Sequence, residues 1–181
     1  MDENETVDTR IHRLRHSAAH LLAQAVKQLY PETQLGIGPV IEDGFYYDFL
    51  RAEPFTPEDL KMIAQRMKEI VRNALPITKV TMKVKDQKTF FAQEPLKKEL
   101  ADGFKGQKQK VTFYGQGEFV DLCRGPHVEN TKELAHVALL RTAGAYWKGD
   151  AKNVQLQRIY GTAWDTEEDL KRYLQMLADA E

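Results

Sequence analysis

From Ile11 to Tyr30 the chain carries no Gly or Pro, and its apolar residues recur at helical spacing: Leu14, Ala18, Leu21, Leu22, Ala25 and Leu29. Positions three and four apart share a helix face, so this pattern predicts an amphipathic helix from about Arg10 to Tyr30, stopped by Pro31. A second helix opens where Thr56 caps, Pro57 takes the first helical position, and Glu58 and Asp59 fill the first turn. Leu60, Ile63, Met67, Ile70 and Val71 form its apolar stripe, and it ends near Leu75-Pro76. Short helices are predicted at Asp86–Gln93 and Pro95–Ala101. Thr166 caps a last amphipathic helix with Leu170, Tyr173, Leu174 and Leu177 on one face.

Between these helices the period shortens. Ile37–Glu42 and Phe45–Leu50 read as strands joined by an Asp43-Gly44 hairpin turn. The Gly-rich start of the first, Gly36-Ile-Gly-Pro39, reads as a tight turn, with close approach of a ligand to backbone as the alternative. Ile77–Val84 alternates as a half-exposed strand would. Val111–Tyr114 and Glu118–Leu122 flank Gly115-Gln-Gly117, and Val137–Arg141, Ala145–Lys148 and Val154–Tyr160 complete the strands. Gly125-Pro126 forbids helix, so Cys123–His127 is a loop at a strand's end.

Composition narrows the function classes. The 181 residues allow one core, or one core and a small lobe, and 42% hydrophobic with 29% charged residues is ordinary for a globular domain. A net charge of -1 gives no strong field for nucleic acid, so such a contact must rest on a local patch or another domain. The one basic stretch, residues 79–110, holds nine Lys against four acids. It reads as a solvated face, or functionally as a phosphate-facing edge. No apolar run approaches the roughly 20 residues that span a bilayer. The acidic start Met1-Asp-Glu-Asn-Glu-Thr6 is no signal peptide, and residues 1–9 are expected to fray. One cysteine cannot form an internal disulfide, which fits a reducing compartment, so a cytoplasmic protein without a membrane partner is expected.

The chemistry begins at His16-Ser-Ala-Ala-His20. These imidazoles are neighbours on one helix face, opposite the apolar stripe and flanked by small Ser17, Ala19 and Ala23. Alone the pair is a weak signal, since solvated or capping histidines look the same. Cys123 and His127 add a second pair, giving H-x3-H and C-x3-H. Imidazole and thiolate suit Zn²⁺. A structural zinc would use all four, and a catalytic one would use three and keep a water of pKa about 7. A metal-free site is the alternative, with neutral imidazole accepting a proton from water and a Lys stabilising the oxyanion. On pattern alone metal is favoured. Asp121, two residues before Cys123, would orient a His or bind a substrate ammonium; its plainer reading is a strand-end turn residue.

Six stretches carry a family likeness: His16-Ser-Ala-Ala-His-Leu-Leu22, Ile37-Gly-Pro-Val-Ile41, Gly44-Phe-Tyr-Tyr-Asp48, Val120-Asp-Leu-Cys-Arg-Gly-Pro-His127, Thr142-Ala-Gly-Ala-Tyr-Trp147 and Gln157-Arg-Ile-Tyr-Gly-Thr-Ala-Trp164. On them, residues 12–165 resemble the editing domain of bacterial-type threonyl-tRNA synthetase. The paired H-x3-H and C-x3-H belong to a wider superfamily shared with alanyl-tRNA editing domains; Cys-Arg-Gly-Pro-His and Arg-Ile-Tyr-Gly-Thr-Ala-Trp point to the threonyl branch.

The resemblance implies an α+β fold, an antiparallel β-sheet packed around a central helix carrying H-x3-H, with peripheral helices. The editing domain would span residues 10–165, after a flexible segment 1–9 and before a C-terminal connector helix at 166–181. It implies hydrolysis of seryl-tRNA made in error on the threonine tRNA, at the 3′-CCA end. Serine lacks only one methyl of threonine, so a synthesis pocket rejects it by only about 1–3 kcal/mol and a second, hydrolytic site is needed. Carried over by position, the pocket comprises His16, His20, Lys97, Cys123 and His127, with Tyr47 lining it and Asp121 binding the substrate ammonium. His16 would position or deprotonate water, and Lys97 would stabilise the oxyanion. The threonyl type works without zinc, so no cofactor is expected; zinc on His16, His20, Cys123 and His127 remains the alternative. The chain shows no ligase core. It reads as an excised segment or a free-standing editor, and the final helix running uncapped to Glu181 favours the former, with the rest of a synthetase as partner. Two rivals stand beside this reading: a zinc-dependent alanyl-type editor, and a non-catalytic zinc-stabilised RNA-binding module.

Overall fold

A computed structural model of the chain describes residues 9–106 and 111–181. All but the last residue of the segment expected to fray, and the end of the basic stretch at 107–110, lie outside the described residues. Helix α1 (Arg10–Leu29) begins where the Thr9 side chain accepts from the His12 backbone N–H. It is buried around most of its circumference. Leu14, Ala18, Leu21, Leu22 and Ala25 are buried as the stripe predicts, but so are Arg15, Ser17, Ala19, His20, Ala23, Gln24 and Val26. The face opposite the stripe is covered too, beyond what periodicity within α1 predicts. Alanines at 18, 19, 23 and 25 let other elements approach from every side. The buried polar groups are satisfied locally, with Arg15 Nε donating to the Ala163 carbonyl (3.1 Å) and Gln24 paired with Gln116.

Two antiparallel sheets flank this helix. One has five strands, β1 (Gln34–Leu35), β2 (Val40–Ile41), β3 (Gly44–Leu50), β7 (Val137–Tyr146) and β8 (Gln155–Ala163), in the order β1-β3-β8-β7 with β2 also pairing β3. Phe45, Tyr47 and Phe49 alternate onto its inner face and pack in the core around α1. The other joins β4 (Ile77–Val80), β5 (Phe113–Gln116) and β6 (Phe119–Leu122) in that order. Helices α3 (Val84–Gln93) and α4 (Pro95–Gly106) lie on it around a second small core of Phe91, Ala101, Phe113 and Leu122. Helix α2 (Pro57–Arg72) packs on α1, its start fixed by the reciprocal capping box of Thr56 and Asp59. Helix α5 (Glu167–Ala180) buries none of its residues and touches the body through Tyr173 on the Trp164 ring (5.3 Å). The architecture is α+β, with the H-x3-H helix at its centre.

Several boundaries differ from the sequence reading. The strand expected over Ile77–Val84 stops at Val80, which pairs with Phe113 at the start of β5, and Val84 opens α3. The three strands expected between Val137 and Tyr160 are two long ones, with a bulge between Leu139 and Arg141 and a 3₁₀ turn at Trp147–Gly149. The hairpin turn falls on Glu42-Asp43, and Asp43 takes the positive φ of 60°. Gly44 instead opens β3, because a Cβ there would stand 2.2 Å from the Gly161 carbonyl oxygen. Helix α4 runs on past Ala101 to Gly106.

Candidate active site

Helix α1 carries His16 and His20 one turn apart. Strand β6 delivers Asp121 and then Cys123, whose backbone N–H still donates to the Thr112 carbonyl (3.0 Å). The chain then turns through Gly125, at φ +80°, and a cis Gly125-Pro126 bond. A Cβ on Gly125 would also stand 2.6 Å from the Tyr114 hydroxyl, so both conformation and space demand glycine there. The turn brings His127 back against α1, its ring centroid 4.4 Å from that of His16 and 4.7 Å from that of His20. One ligand-type atom from each of His16, His20, Cys123 and His127 lies within 4.8 Å of the others.

Each imidazole is held by the nitrogen facing away from the cluster. His16 Nδ1 donates to the Pro126 carbonyl (3.1 Å), which can only accept. Its Nε2 faces the cluster and lies 3.2 Å from Cys123 Sγ. His20 Nδ1 meets Asp121 Oδ2 at 3.2 Å. His127 Nδ1 meets Ser17 Oγ at 3.0 Å, and Ser17 Oγ also accepts from the Val128 N–H (3.0 Å). His127 Nε2 lies 3.1 Å from Cys123 Sγ, and the Gly125 N–H donates to the same sulfur. Burial alone would keep the Cys123 thiol protonated. The His20 charge and the hydrogen bond from His127 lead the influences that outweigh it and bring the thiol down to about 3. In His20 burial opposes the charge, but the Cys123 thiolate and Asp121 raise it to about 9. Burial pushes His127 down to about 4.

Asp121 is wholly buried, and its four lone-pair positions are filled. Oδ1 accepts from Lys97 Nζ (3.1 Å) and the Leu122 N–H (2.8 Å). Oδ2 accepts from the Tyr47 hydroxyl (2.6 Å) and His20. Burial would raise its pKa, but Lys97, His20 and Tyr47 hold it well below the usual carboxylate range. Burial and the Asp121 charge push the Tyr47 phenol well up. Lys97 projects inward from α4 and is 3% exposed, with Nζ 5.2 Å from the Tyr47 ring centroid. The adjacent Lys98 points to solvent and pairs with Asp102 (2.9 Å).

A cavity of about 290 Å³ opens onto this array. His16, His20, Tyr47, Lys97, Asp121 and Cys123 line it; His127 stands behind Cys123. Gly38 forms part of the wall, and a Cβ there would stand 2.3 Å from the Tyr47 ring. Gly36–Pro39 is not the tight turn expected: it runs beside β3, with the Gly36 N–H donating to the Asp48 carbonyl (2.7 Å) and the Asp48 N–H to the Ile37 carbonyl (2.8 Å), and Ile37–Pro39 bring backbone to the cavity. Sequence reasoning missed three residues here. Ser17, taken only as a small flank, tethers His127. Phe104 and Arg124 form part of the lining, with the Arg124 guanidinium 5.3 Å from the Phe104 ring centroid. Arg124 stood inside the Cys-x3-His motif and was the one of these with a usable signal.

Three imidazoles and a thiolate with each imidazole anchored on its second nitrogen also form a donor set of the zinc-binding kind. The chain's own relatives narrow the family. A protein-family model described as the threonyl and alanyl tRNA synthetase second additional domain matches residues 111–160, which take in Asp121, Cys123 and His127. Threonine–tRNA ligase of Azoarcus sp. (strain BH72) is 54% identical over 170 residues, which is 93% of this chain and 26% of that protein. By sequence the chain is similar, over nearly its whole length, to one segment of the threonyl-tRNA synthetases. Threonine–tRNA ligase of Rhodospirillum rubrum is 53% identical over 171 residues, 93% of this chain, and that of Aromatoleum aromaticum is 50% identical over 179 residues, 98% of this chain. The chain spans about a quarter of the length of these synthetase relatives. Among the described residues no helix is long and apolar enough to cross a membrane.

Proposed function

We propose that this chain proofreads, hydrolysing seryl-tRNA formed in error on the threonine tRNA. The observation that carries the reading is the convergence of His16, Cys123 and the buried Lys97–Asp121 pair on one cavity beside a backbone wall. The substrate is the ester between the seryl carbonyl and a ribose hydroxyl of the terminal adenosine. Water attacks that carbonyl. His16 Nε2 positions the water and accepts its proton, with the neighbouring ribose hydroxyl in the relay, and the proton passes to the departing ribose oxygen. Lys97 has one N–H committed to Asp121 and offers the others to the developing oxyanion. The substrate ammonium reaches Asp121 by displacing Lys97 from Oδ1, since all four lone-pair positions are otherwise filled, and Tyr47 lines the pocket. His20, Cys123 and His127 shape and hydrogen-bond the site; an activated ester does not require Cys123 as a covalent nucleophile. The unit would comprise residues 10–165, with α5 connecting it to the remainder in a chain as long as the relatives'. A His16→Ala protein that keeps its fold should lose deacylation, and full activity in that variant sinks the assignment.

The donor set favours a second reading. Zinc held by three of His16, His20, Cys123 and His127 would supply, when bound, a polarised water of pKa about 7. The roles of Lys97, Asp121 and Tyr47 are the same in both readings. A strong chelator separates them. It leaves turnover untouched in the first, stops it in the second, and unfolds the protein if the metal is purely structural.

A further inference from the structure

Helix α4 has two working faces. Lys97, Leu100 and Phe104 line the cavity. About 100° round the helix, at the spacing of one residue, Lys98, Asp102 and Lys105 line a different groove. This groove, of about 400 Å³, runs between α3 and α4, with Val84 and Phe91 in its lining and Lys88 contributed by α3. Lys83 and Lys85 stand exposed at the start of α3. Lys98 is neutralised by Asp102, whereas Lys83, Lys85, Lys88 and Lys105 have no acidic partner within 4 Å among the described residues. The surplus belongs to the one basic stretch of a chain that is net acidic overall.

We propose that the α3–α4 groove holds the phosphate backbone of the RNA whose 3′ end enters the cavity. The inference rests on the reading of that cavity as an aminoacyl-RNA site and adds where the strand runs before reaching it. Helix α4 is 12 residues long, about 18 Å. A strand that ends at Lys97 and follows the groove passes its preceding phosphates along Lys105, Lys88 and the exposed Lys85. Ammonium groups on flexible stems neutralise phosphates without reading sequence, which suits a single-stranded 3′ end.

The test uses Lys85→Ala, Lys88→Ala and Lys105→Ala combined, all exposed and outside the cavity lining. The probe is a labelled hairpin RNA ending in single-stranded CCA, and anisotropy gives its affinity between 50 and 200 mM salt. Each lost phosphate contact lowers the slope of log affinity against log salt by roughly 0.7–0.9, so the triple variant should lose about 2 from that slope. A control triple on other faces, Lys61→Ala, Lys68→Ala and Lys171→Ala, should leave it unchanged. Hydrolysis of the seryl ester of adenosine, which carries no phosphate, should proceed at the parent rate in the groove variant. An unchanged salt slope, or no RNA binding by the parent at 50 mM salt, overturns the proposal. Equal loss of ester hydrolysis and RNA binding also overturns it, since that marks a structural role. If the parent fails to hydrolyse the small ester, the proofreading reading fails while the salt slope still decides the groove.

Discussion

Replacing Asp121 with Asn removes the carboxylate on which Lys97, His20 and Tyr47 converge. Lys97 would then keep its ammonium at 3% exposure without its partner at 3.1 Å. Removing one member of a buried ion pair costs about 3–5 kcal/mol, because the other charge stays desolvated. The amide oxygen still accepts from one of the former donors, but its NH₂ group faces donors where the carboxylate faced none. Against a total stability of roughly 5–15 kcal/mol, the variant should fold with a large part of its margin gone. Urea unfolding reads this as a lower midpoint at unchanged m. Adding Lys97→Met to Asp121→Asn removes the stranded charge and should recover most of the loss. The pH dependence follows from sign. A carboxylate whose folded pKa lies below its unfolded value of about 3.9 adds stability that is present above that value and lost as pH falls toward the folded one. Parent protein should therefore lose stability more steeply than Asp121→Asn as pH drops below about 4. A single-variant cost under about 1 kcal/mol, or a double variant no more stable than the single, refutes this reasoning.

Other consequences are smaller in scope. Lys97→Met should lower single-turnover deacylation about 10²–10³-fold, the usual cost of one oxyanion donor, with far-ultraviolet circular dichroism unchanged. In metal-free protein, Cys123 should react with iodoacetamide at a nearly constant rate from pH 8 to pH 5, because its thiol is pulled down to about 3; a rate that climbs tenfold per unit through pH 8 would deny the thiolate. Gly38→Ala places a Cβ 2.3 Å from the Tyr47 ring, so the ring or the wall must move. This should cost about 1–3 kcal/mol in urea unfolding and reduce deacylation with it.

What the sequence revealed follows the range of the interactions. The four-residue spacing of His16 and His20, the Thr56 and Thr166 caps and the loop at Gly125-Pro126 are local, and the structure has them where the spacing put them. The burial of α1 on all sides was hidden, because it depends on two sheets and a second helix that periodicity within α1 does not report. Ser17 looks like any small helix residue until the chain returns 110 residues later and His127 meets its hydroxyl. Gly38 and Gly44 are glycines for the sake of Tyr47 and Gly161, which are distant in sequence or in another strand. Lys97 is an inward lysine in a run of outward ones, and only the family likeness singled it out from Lys98. Strand ends such as Val80 were illegible because few of those residues bury a face, so alternation carried on into the turn before α3.

The most direct test compares seryl and threonyl esters, both on the threonine tRNA, with the protein in excess and with or without a strong chelator. The account predicts rapid release of serine, retention of threonine and no effect of the chelator. Equal hydrolysis of both esters, or none of the seryl ester even at high protein concentration, contradicts the proofreading assignment. Serine release that the chelator abolishes contradicts the metal-free route and moves the chemistry to a metal held by His16, His20, Cys123 and His127.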